Sequence, residues 1–149
     1  MRWDALAEQR CSMARSLAVV GDRWTLMILR DAFLGVRRFD DFQARLGISR
    51  AIVSDRLELL VREGVLTRTA YQDRPVRHEY RLTNKGLDLH PVIMALVHWG
   101  DHHYAGDAGA PLRHRHKACG CDFHPIQTCS ACGEPLDARS VEVRAGPGA

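Results

Sequence analysis

The residues best suited to chemistry are the cysteines and histidines near the end of the chain. The sequence contains five cysteines, and all of them except Cys11 lie between residues 119 and 132. Two stretches, HKACG and CSACG, share one pattern: a potential metal ligand, two other residues, a second potential metal ligand and a glycine. Two ligands at this spacing can hold one ion, and the glycine lets the backbone turn around it. The repeat predicts a tetrahedral zinc site with the ligands His116, Cys119, Cys129 and Cys132.

We expect this zinc ion to be structural rather than catalytic, because four protein ligands leave no open position for water. Metal binding would also fold a segment that is too small to build a core. The ligand set is open, since Cys121 or His124 could replace His116 or Cys119, and neither need bind. Three further histidines enrich the region in metal ligands: His102, His103 and His114. A regulatory metal sensor, a redox-active cysteine pair, and a metal-free, partly disordered tail are the alternatives.

The overall composition is that of a globular protein. The 149 residues are 46% hydrophobic and 26% charged, which argues against disorder throughout and allows one compact domain with a small appendage. No run approaches the roughly 20 apolar residues that a membrane span needs. The N-terminal segment carries Asp4 and Glu8 and lacks the apolar core of a secretory signal. We therefore expect a cytoplasmic protein.

The basic residues are unevenly distributed and are almost all arginine. The net charge is +3, but residues 1–82 hold 15 arginines against 11 acidic residues, and residues 83–149 carry a charge of −1. Of the 21 basic residues, only Lys85 and Lys117 are lysine. Because arginine makes forked contacts with phosphate and guanine, a nucleic-acid partner is one explanation. A GC-rich genome, whose codons favour arginine, is the other.

A change in composition divides the chain. Residues 105–111, with the sequence AGDAGAP, predict a linker because small residues, glycine and proline do not sustain a packed helix. The linker separates a main domain, residues 1–104, from a zinc-ribbon-like Cys/His tail, residues 112–149.

The main domain begins with the spacing of amphipathic helices. Asp22 is a candidate N-cap for a helix that stops at Gly35. Another helix follows and ends at Gly47, after which Ser49 caps a third helix that stops at Gly64. Two short helices joined by a tight glycine-containing turn are typical of a helix-turn-helix. In the helix that follows Asp22, we expect the buried stripe to consist of Trp24, Met27, Ile28 and Ala32.

The pattern then changes to that of a β-hairpin. Residues 65–71 and 77–82 are β-prone, and residues 72–76 supply turn residues. Thr83 is a candidate cap for a last helix, in which Pro91 should introduce a kink or a restart. The apolar face of this helix consists of Leu89, Ile93, Leu96 and Trp99. The order of elements predicts a winged helix, a mainly α fold with a small β-hairpin.

With these elements in place, the sequence resembles the HxlR-type winged-helix transcriptional regulators, relatives of the MarR-like regulators. The resemblance covers about residues 11–100 and rests on CSMARSLAVVGDRWTLMILRDAFLGVRRFDDF, ISRAIVSDRLELLVREGVLTR and YRLTNKG. The family usually has proline after the first cysteine and Leu-Pro-Gly-Ile before the recognition helix, where this chain has Ser12 and Leu-Gly-Ile. The tail resembles an extension found in some such proteins, ending in a CSACGEPL-like motif. The resemblance implies a bacterial, nucleoid-associated regulator that binds double-stranded DNA sequence-specifically.

The candidate DNA contacts lie in three places. A recognition helix presents side chains to base edges from its N-terminal turns, where Arg50 could fork onto a guanine. Arg37 and Arg38 precede the first helix of the pair, where a phosphate strand would pass, and Arg74 and Arg77 lie at the wing. The roles of Arg38 and Arg50 depend mainly on the resemblance, and a solvated face is the alternative. The full predicted set is Arg37, Arg38, Ser49, Arg50, Val53, Ser54, Arg56, Arg74 and Arg77, whereas we expect Arg45, Arg62 and Arg68 to be solvated.

We expect a homodimer that acts as a repressor. Each bidentate base contact discriminates by about 1–3 kcal/mol, so useful specificity needs two copies on a two-fold site. The first and last helices offer spare apolar surface, and the resemblance implies dimerisation around Leu17 and from Leu89 to Trp99, with core packing as the alternative. Repression is favoured because a small dimer on an operator can exclude polymerase.

In some members of the family a cysteine near the position of Cys11 responds to oxidants, which makes Cys11 a candidate redox residue. A buried apolar cysteine is the alternative.

Two other classes of function compete with DNA binding. The same elements could form a module that docks a protein. This interpretation is favoured over DNA binding if Arg38, Arg50 and Arg77 do not share one surface. An enzyme would need an open metal position, or a thiolate with a nearby base. The sequence has no nucleophile elbow, phosphate loop or HExxH pattern, so we expect no enzymatic activity.

Overall fold

A computed structural model describes residues 5–149. Two antiparallel strands pair into a small sheet, and the remaining elements are helical, which confirms the predicted winged helix-turn-helix. The residues fall into two compact units, one ending at Ile93 and the other comprising Met94–Ala149, so the boundary lies upstream of residues 105–111. In chain order the elements are α1 (Ser12–Val20), α2 (Arg23–Phe33), α3 (Phe39–Leu46), α4 (Arg50–Arg62), β1 (Leu66–Asp73), β2 (Val76–Leu82), α5 (Asn84–Leu87) and α6 (His90–Tyr104).

Helix α2 contributes to the centre of the core and begins where Asp22 was predicted to cap it. The Oδ1 atom of Asp22 accepts hydrogen bonds from the backbone N–H groups of Trp24 at 3.0 Å and Thr25 at 3.2 Å. Ile28 and Leu29 are fully buried. The inner face is rotated toward Thr25 and Leu29, so the rest of the predicted stripe is only half-buried: Trp24, Met27 and Ala32.

A buried carboxylate ties α2 to α3. Asp31 is fully buried, and its Oδ1 atom lies 2.7 Å from Nη2 of Arg30. From α3, Nε of Arg45 lies 3.2 Å from the Oδ2 atom of Asp31. We expected Arg45 to be simply solvated; it instead neutralises a charge in the core, because its long side chain reaches from the surface to the adjacent helix.

Helices α3 and α4 form the helix-turn-helix. Helix α3 ends at Gly47, whose φ of 64° lies in the left-handed region that glycine adopts without strain. Ser49 then caps α4, because its hydroxyl accepts a hydrogen bond from the N–H of Ile52 at 3.3 Å. The inner faces of the two helices bury Phe42, Val53, Leu57 and Leu60.

The hairpin that follows α4 forms the wing. Strand β1 reaches Asp73 and β2 starts at Val76, so the turn is shorter than the predicted residues 72–76. A β-bulge lies between Ala70 and Gln72, where one extra residue increases the local twist of the strand.

The last helical region consists of two helices. The Thr83 hydroxyl accepts a hydrogen bond from the N–H of Gly86 at 3.1 Å and so caps α5. Helix α6 then begins at His90, and Pro91 lies in its first turn, where the missing N–H costs no hydrogen bond. The predicted restart is therefore confirmed. Among the helices of residues 5–149, none combines the length and apolar character needed to cross a bilayer.

Candidate nucleic-acid interface and metal-binding turns

A groove of about 410 Å³ lies between the helix-turn-helix and the wing. Arg38 immediately precedes α3, Arg50 is the first residue of α4, and Arg77 lies on β2. All three arginines line this groove, together with the carboxylates of Asp40 and Asp41. The arginines that had to share a surface for DNA binding therefore do share one.

The segment before α3 is joined to both strands of the wing. The guanidinium carbon of Arg38 lies 4.5 Å from the centre of the Tyr71 ring on β1, a cation–π arrangement. The backbone of Arg38 also bridges to Glu79 on β2. Next to it, the carbonyl of Arg37 accepts a hydrogen bond from the N–H of Tyr80 at 2.7 Å. These contacts fix the position of the wing relative to the start of α3.

The side chain of Arg50 lies back on α3. Its Nη1 atom donates hydrogen bonds to Oδ1 of Asp40 at 2.8 Å and to Oε1 of Gln43 at 3.1 Å. Its guanidinium carbon lies 4.5 Å from the centre of the Phe39 ring. The side chain is nonetheless 65% exposed, so it is held in position and remains accessible.

The next turns of α4 differ from the sequence expectation at two positions. Val53 is fully buried, and we remove it from the predicted DNA-contacting set because its side chain belongs to the core. Nε of Arg56 lies 3.3 Å from Oδ1 of Asp22, so in this structure Arg56 ties α4 to the N-terminus of α2. The hydroxyl of Ser54 donates to Oε1 of Glu58 at 3.1 Å. Three other predicted residues are exposed: Arg37, Ser49 and Arg74.

Three residues that sequence reasoning missed form contacts in the groove. The sequence places Tyr71 on a strand and predicts no contact for Phe39 or Asp40. Each of them contacts an arginine that lies outside its own helix or strand, so the spacing of residues along the sequence did not indicate the contact. The one local hint is that Phe39 and Asp40 directly follow Arg38 and so begin α3 beside the basic segment.

The first ligand-bearing stretch of the tail forms a tight turn. The N–H of Gly120 donates to the carbonyl of His116 at 2.8 Å, and the N–H of His116 donates to the carbonyl of Cys121 at 2.9 Å. At the base of the turn, the N–H of Phe123 donates to the carbonyl of His114 at 3.0 Å. Gly120 has a φ of 72°, the left-handed conformation that lets the chain reverse.

The second ligand-bearing stretch repeats each of these bonds 13 positions later. Gly133 donates to Cys129 at 2.8 Å, Cys129 donates to Glu134 at 2.8 Å, and Leu136 donates to Gln127 at 2.8 Å. Gly133 has a φ of 79°. The repeated sequence pattern is therefore a repeated backbone structure, with metal-ligand side chains at the first and fourth positions of both turns.

Each turn carries two of the side chains that were predicted as metal ligands. Nδ1 of His116 lies 3.6 Å from Sγ of Cys119. In the second turn, hydrogen bonds from the backbone of Cys132, from the backbone of Ala131 and from the Cys132 thiol lower the pKa of Cys129. This favours the thiolate, which is the form that binds metal. Within residues 5–149, no three potential ligands gather into one cluster, so the turns present two separate pairs.

The remaining candidate residues have other surroundings. The thiol of Cys121 donates to the carbonyl of Cys119 at 3.6 Å. The ring of His124 stacks on that of His98, with centroids 5.0 Å apart and an interplanar angle of 13°. Cys11 is exposed and precedes α1 as its N-cap residue, without a side-chain capping hydrogen bond.

The fold and the groove define a winged-helix protein of the DNA-binding class. The model of the family described as HxlR-like helix-turn-helix matches residues 19–107, and the chain belongs to this family. It is also similar to Rv3095, an uncharacterised HTH-type transcriptional regulator of Mycobacterium tuberculosis strain H37Rv. The two are 47% identical over 137 residues, which cover 92% of this chain and 87% of the relative.

Two solved structures resemble the chain over nearly its whole length. PA1607, a candidate transcription factor, is 32% identical with a TM-score of 0.84, and the match covers 95% of this chain and 99% of that one. PA1374, a candidate transcription factor from Pseudomonas aeruginosa, is 37% identical with a TM-score of 0.64, covering 93% and 94%. Together with the family, these matches confirm a DNA-binding transcriptional regulator and the expectation that the chain is not an enzyme.

Proposed function

We propose that this regulator is a repressor that recognises a two-fold symmetric DNA operator as a homodimer and carries a structural zinc ion in its tail. The observation that supports the proposal most is the convergence of Arg38, Arg50 and Arg77 on one groove. These side chains come from the segment before the helix-turn-helix, the recognition helix and the wing. They match the places where a docked duplex offers phosphates and base edges.

Within this interface we assign the base contact to Arg50 and the backbone contacts to the other arginines. Arg50 begins α4, and the N-terminal residues of a recognition helix are those that reach base edges. A guanidinium can also fork onto O6 and N7 of guanine. The proposed phosphate contacts, which neutralise the backbone without sequence preference, are Arg37, Arg38, Arg74 and Arg77. Two hydroxyls complete the interface: that of Ser49, which caps α4, and that of Ser54 in the first turns of the helix.

Exposed apolar side chains on α1 and α6 support the homodimer. Met13 on α1 is 69% exposed, and on α6 the exposed fractions of Val92, Leu96 and Trp99 are 47%, 49% and 55%. The three α6 residues follow a helical spacing of four and then three positions. Large apolar side chains that share a helix face in this way are typical of an interface. Two copies joined there would offer two recognition helices to one duplex, and a dimer bound over an operator would exclude polymerase.

The two equivalent turns of the tail each supply two of the proposed zinc ligands, His116 with Cys119 and Cys129 with Cys132, and the two pairs would come together around one ion. One imidazole and three thiols suit tetrahedral zinc, and the hydrogen bonds to the Cys129 sulfur favour the ligating thiolate. Cys121 and His124 lie outside the first and fourth positions that the turns share, which favours the four ligands named. Nearly all residues of 112–149 are exposed, so a bound ion would supply a link that this segment cannot obtain from a core.

Selection of duplexes by the purified protein tests the proposal. From a randomised library with a duplex of about 30 base pairs, long enough for two half-sites one helical turn apart, we expect enrichment of one sequence repeated in inverted orientation. Light scattering should give two chains per duplex, and elemental analysis should give one zinc ion per chain. Transcription in vitro from a promoter that contains the selected site should fall when the protein is added.

Each result has an opposite that would count against one part of the proposal. Failure to enrich any sequence would refute sequence-specific binding, and one chain per duplex would refute the dimer. Zinc below stoichiometric amounts after purification without chelator would refute the metal site. Increased transcription would refute repression.

A further inference from the structure

Three side chains of α3 hold Arg50 through one part of its guanidinium. Both hydrogen bonds use Nη1, at 2.8 Å from Oδ1 of Asp40 and 3.1 Å from Oε1 of Gln43. The Phe39 ring supports the guanidinium plane, with its centre 4.5 Å from the central carbon. Within residues 5–149, Nε and Nη2 of Arg50 have no hydrogen-bond partner.

A guanidinium held in this way keeps one edge available for a ligand. Nε and Nη2 carry a parallel pair of N–H groups, which is the arrangement that binds two adjacent acceptors such as O6 and N7 of guanine. A side chain that is already held by its neighbours also loses less conformational freedom when it binds. The contacts from α3 therefore orient Arg50 for a two-acceptor ligand rather than block it.

We infer that Asp40 is a specificity-determining residue that positions Arg50 for base recognition and opposes binding to phosphate alone. The inference rests on the proposed base contact of Arg50. The side chain of Asp40 is 77% exposed and lines the groove, so its negative charge would face the duplex and repel phosphates of any sequence. Correct orientation of Arg50 benefits only the cognate base pair. Orientation therefore widens the difference in affinity between operator and unrelated DNA, whereas the charge lowers the affinity for both.

Asp41 provides a matched control for the charge of Asp40. Both carboxylates lie in the first turn of α3 and line the same groove, so removing either one changes the charge of the groove and the electrostatics of the helix N-terminus similarly. In the part of the chain that the structure describes, Asp41 forms no hydrogen bond or ion pair with Arg50. A difference between the two variants would report the contact rather than the charge.

The test compares Asp40→Ala, Asp41→Ala, Arg50→Ala and the Asp40→Ala/Arg50→Ala double variant. Each is titrated with the duplex selected by the wild-type protein and with duplexes in which single base pairs are replaced. Asp40→Ala should lower discrimination about two- to fivefold, the size expected for an exposed ion pair, at the base pair where Arg50→Ala also loses it. The double variant should discriminate no worse than Arg50→Ala. Asp41→Ala should strengthen binding to all duplexes alike and leave discrimination unchanged.

A second substitution separates orientation from charge, and a third guards against loss of the fold. Asp40→Asn keeps an Oδ1 acceptor for Nη1 but removes the negative charge. It should retain most of the discrimination while binding unrelated DNA more tightly than the wild type. Circular dichroism of each variant checks that the helical content is retained, and Asp40→Ser, which also removes the carboxylate, replaces Asp40→Ala if that variant is unfolded.

The outcomes distinguish failure of the inference from failure of the proposed function. If Arg50→Ala loses discrimination but Asp40→Ala does not, the inference is wrong and the base contact stands. The inference is also wrong if Asp40→Ala affects other base pairs, or still lowers discrimination when Arg50 is absent. If Arg50→Ala discriminates as well as the wild type, the proposed base contact itself is wrong, and the role of Asp40 falls with it.

Discussion

The buried Asp31 leads to a prediction that loss of its two arginines is non-additive. Asp31 is fully buried, while the side chains of Arg30 and Arg45 are 36% and 47% exposed. Either arginine alone leaves the carboxylate with one cation, so Arg30→Ala and Arg45→Ala should each lower the free energy of unfolding by about 1 kcal/mol. Removing both leaves a buried charge without a cation, which typically costs about 3–5 kcal/mol. We expect the lower end, since truncating two half-exposed side chains admits some water.

Urea unfolding at one fixed protein concentration measures these differences, because the stability of the proposed dimer would depend on concentration. Adding Asp31→Asn to the double variant should recover part of the loss, since a neutral amide is easier to bury than a carboxylate. Arg62→Ala is a control, because that side chain is 69% exposed and lies 3.9 Å from its partner Glu63; it should change stability by less than about 0.5 kcal/mol. A strictly additive loss near 2 kcal/mol, with no recovery by Asp31→Asn, would refute the reasoning.

Three further predictions concern the interface, the dimer and the tail. Arg38→Ala should weaken binding to every duplex and lower the slope of log affinity against log salt by about 1. Tyr71→Ala, which keeps the charge of Arg38, should weaken binding with a smaller change of this slope. Equal slopes for the wild type and Arg38→Ala would contradict a phosphate contact. Trp99→Asp should give a monomer by light scattering with an unchanged circular dichroism spectrum, and a persistent dimer would place the interface elsewhere. In zinc-free protein, Cys129 should react with iodoacetamide at lower pH than an ordinary thiol, because its pKa is lowered and more thiolate is present near neutral pH. Added zinc should slow this reaction, and a midpoint at or above the ordinary thiol pKa would contradict the hydrogen bonding at its sulfur.

The helix ends of this protein were predictable because they depend on local chemistry. Asp22 and Ser49 accept hydrogen bonds from N–H groups two or three residues ahead, and Gly47 reverses the chain at its own position. Each of these roles is set by a few neighbouring residues, so the residue type and its place before or after an apolar run are sufficient. The pairing of Asp31 with Arg45 is different, because it depends on how two helices pack.

The elements that carry the candidate arginines were predictable, whereas one side chain was assigned wrongly. Arg38 and Arg50 were predicted mainly from the resemblance to the family, and Arg77 was predicted because the order of elements places it in the wing. Val53 was predicted as a contact because it lies in the N-terminal turns of the recognition helix, although Val53, Leu57 and Leu60 follow the spacing of a buried helix face and all three are fully buried. That spacing was visible in the sequence and should have assigned Val53 to the core.

The contacts around the groove explain why its basic side chains can act together. Arginine side chains are long and flexible, so arginines on three separate elements would by themselves define no fixed pattern. Here the hydrogen bond from Tyr80 to the carbonyl of Arg37 joins β2 to the start of α3, and the rings of Tyr71 and Phe39 each support a guanidinium. Backbone pairing thus sets the distance between wing and helix, and aromatic rings set the direction of the charges. In the proposed mode of binding, affinity would then vary with the number of arginines, and the choice of sequence would depend on the residues that hold them.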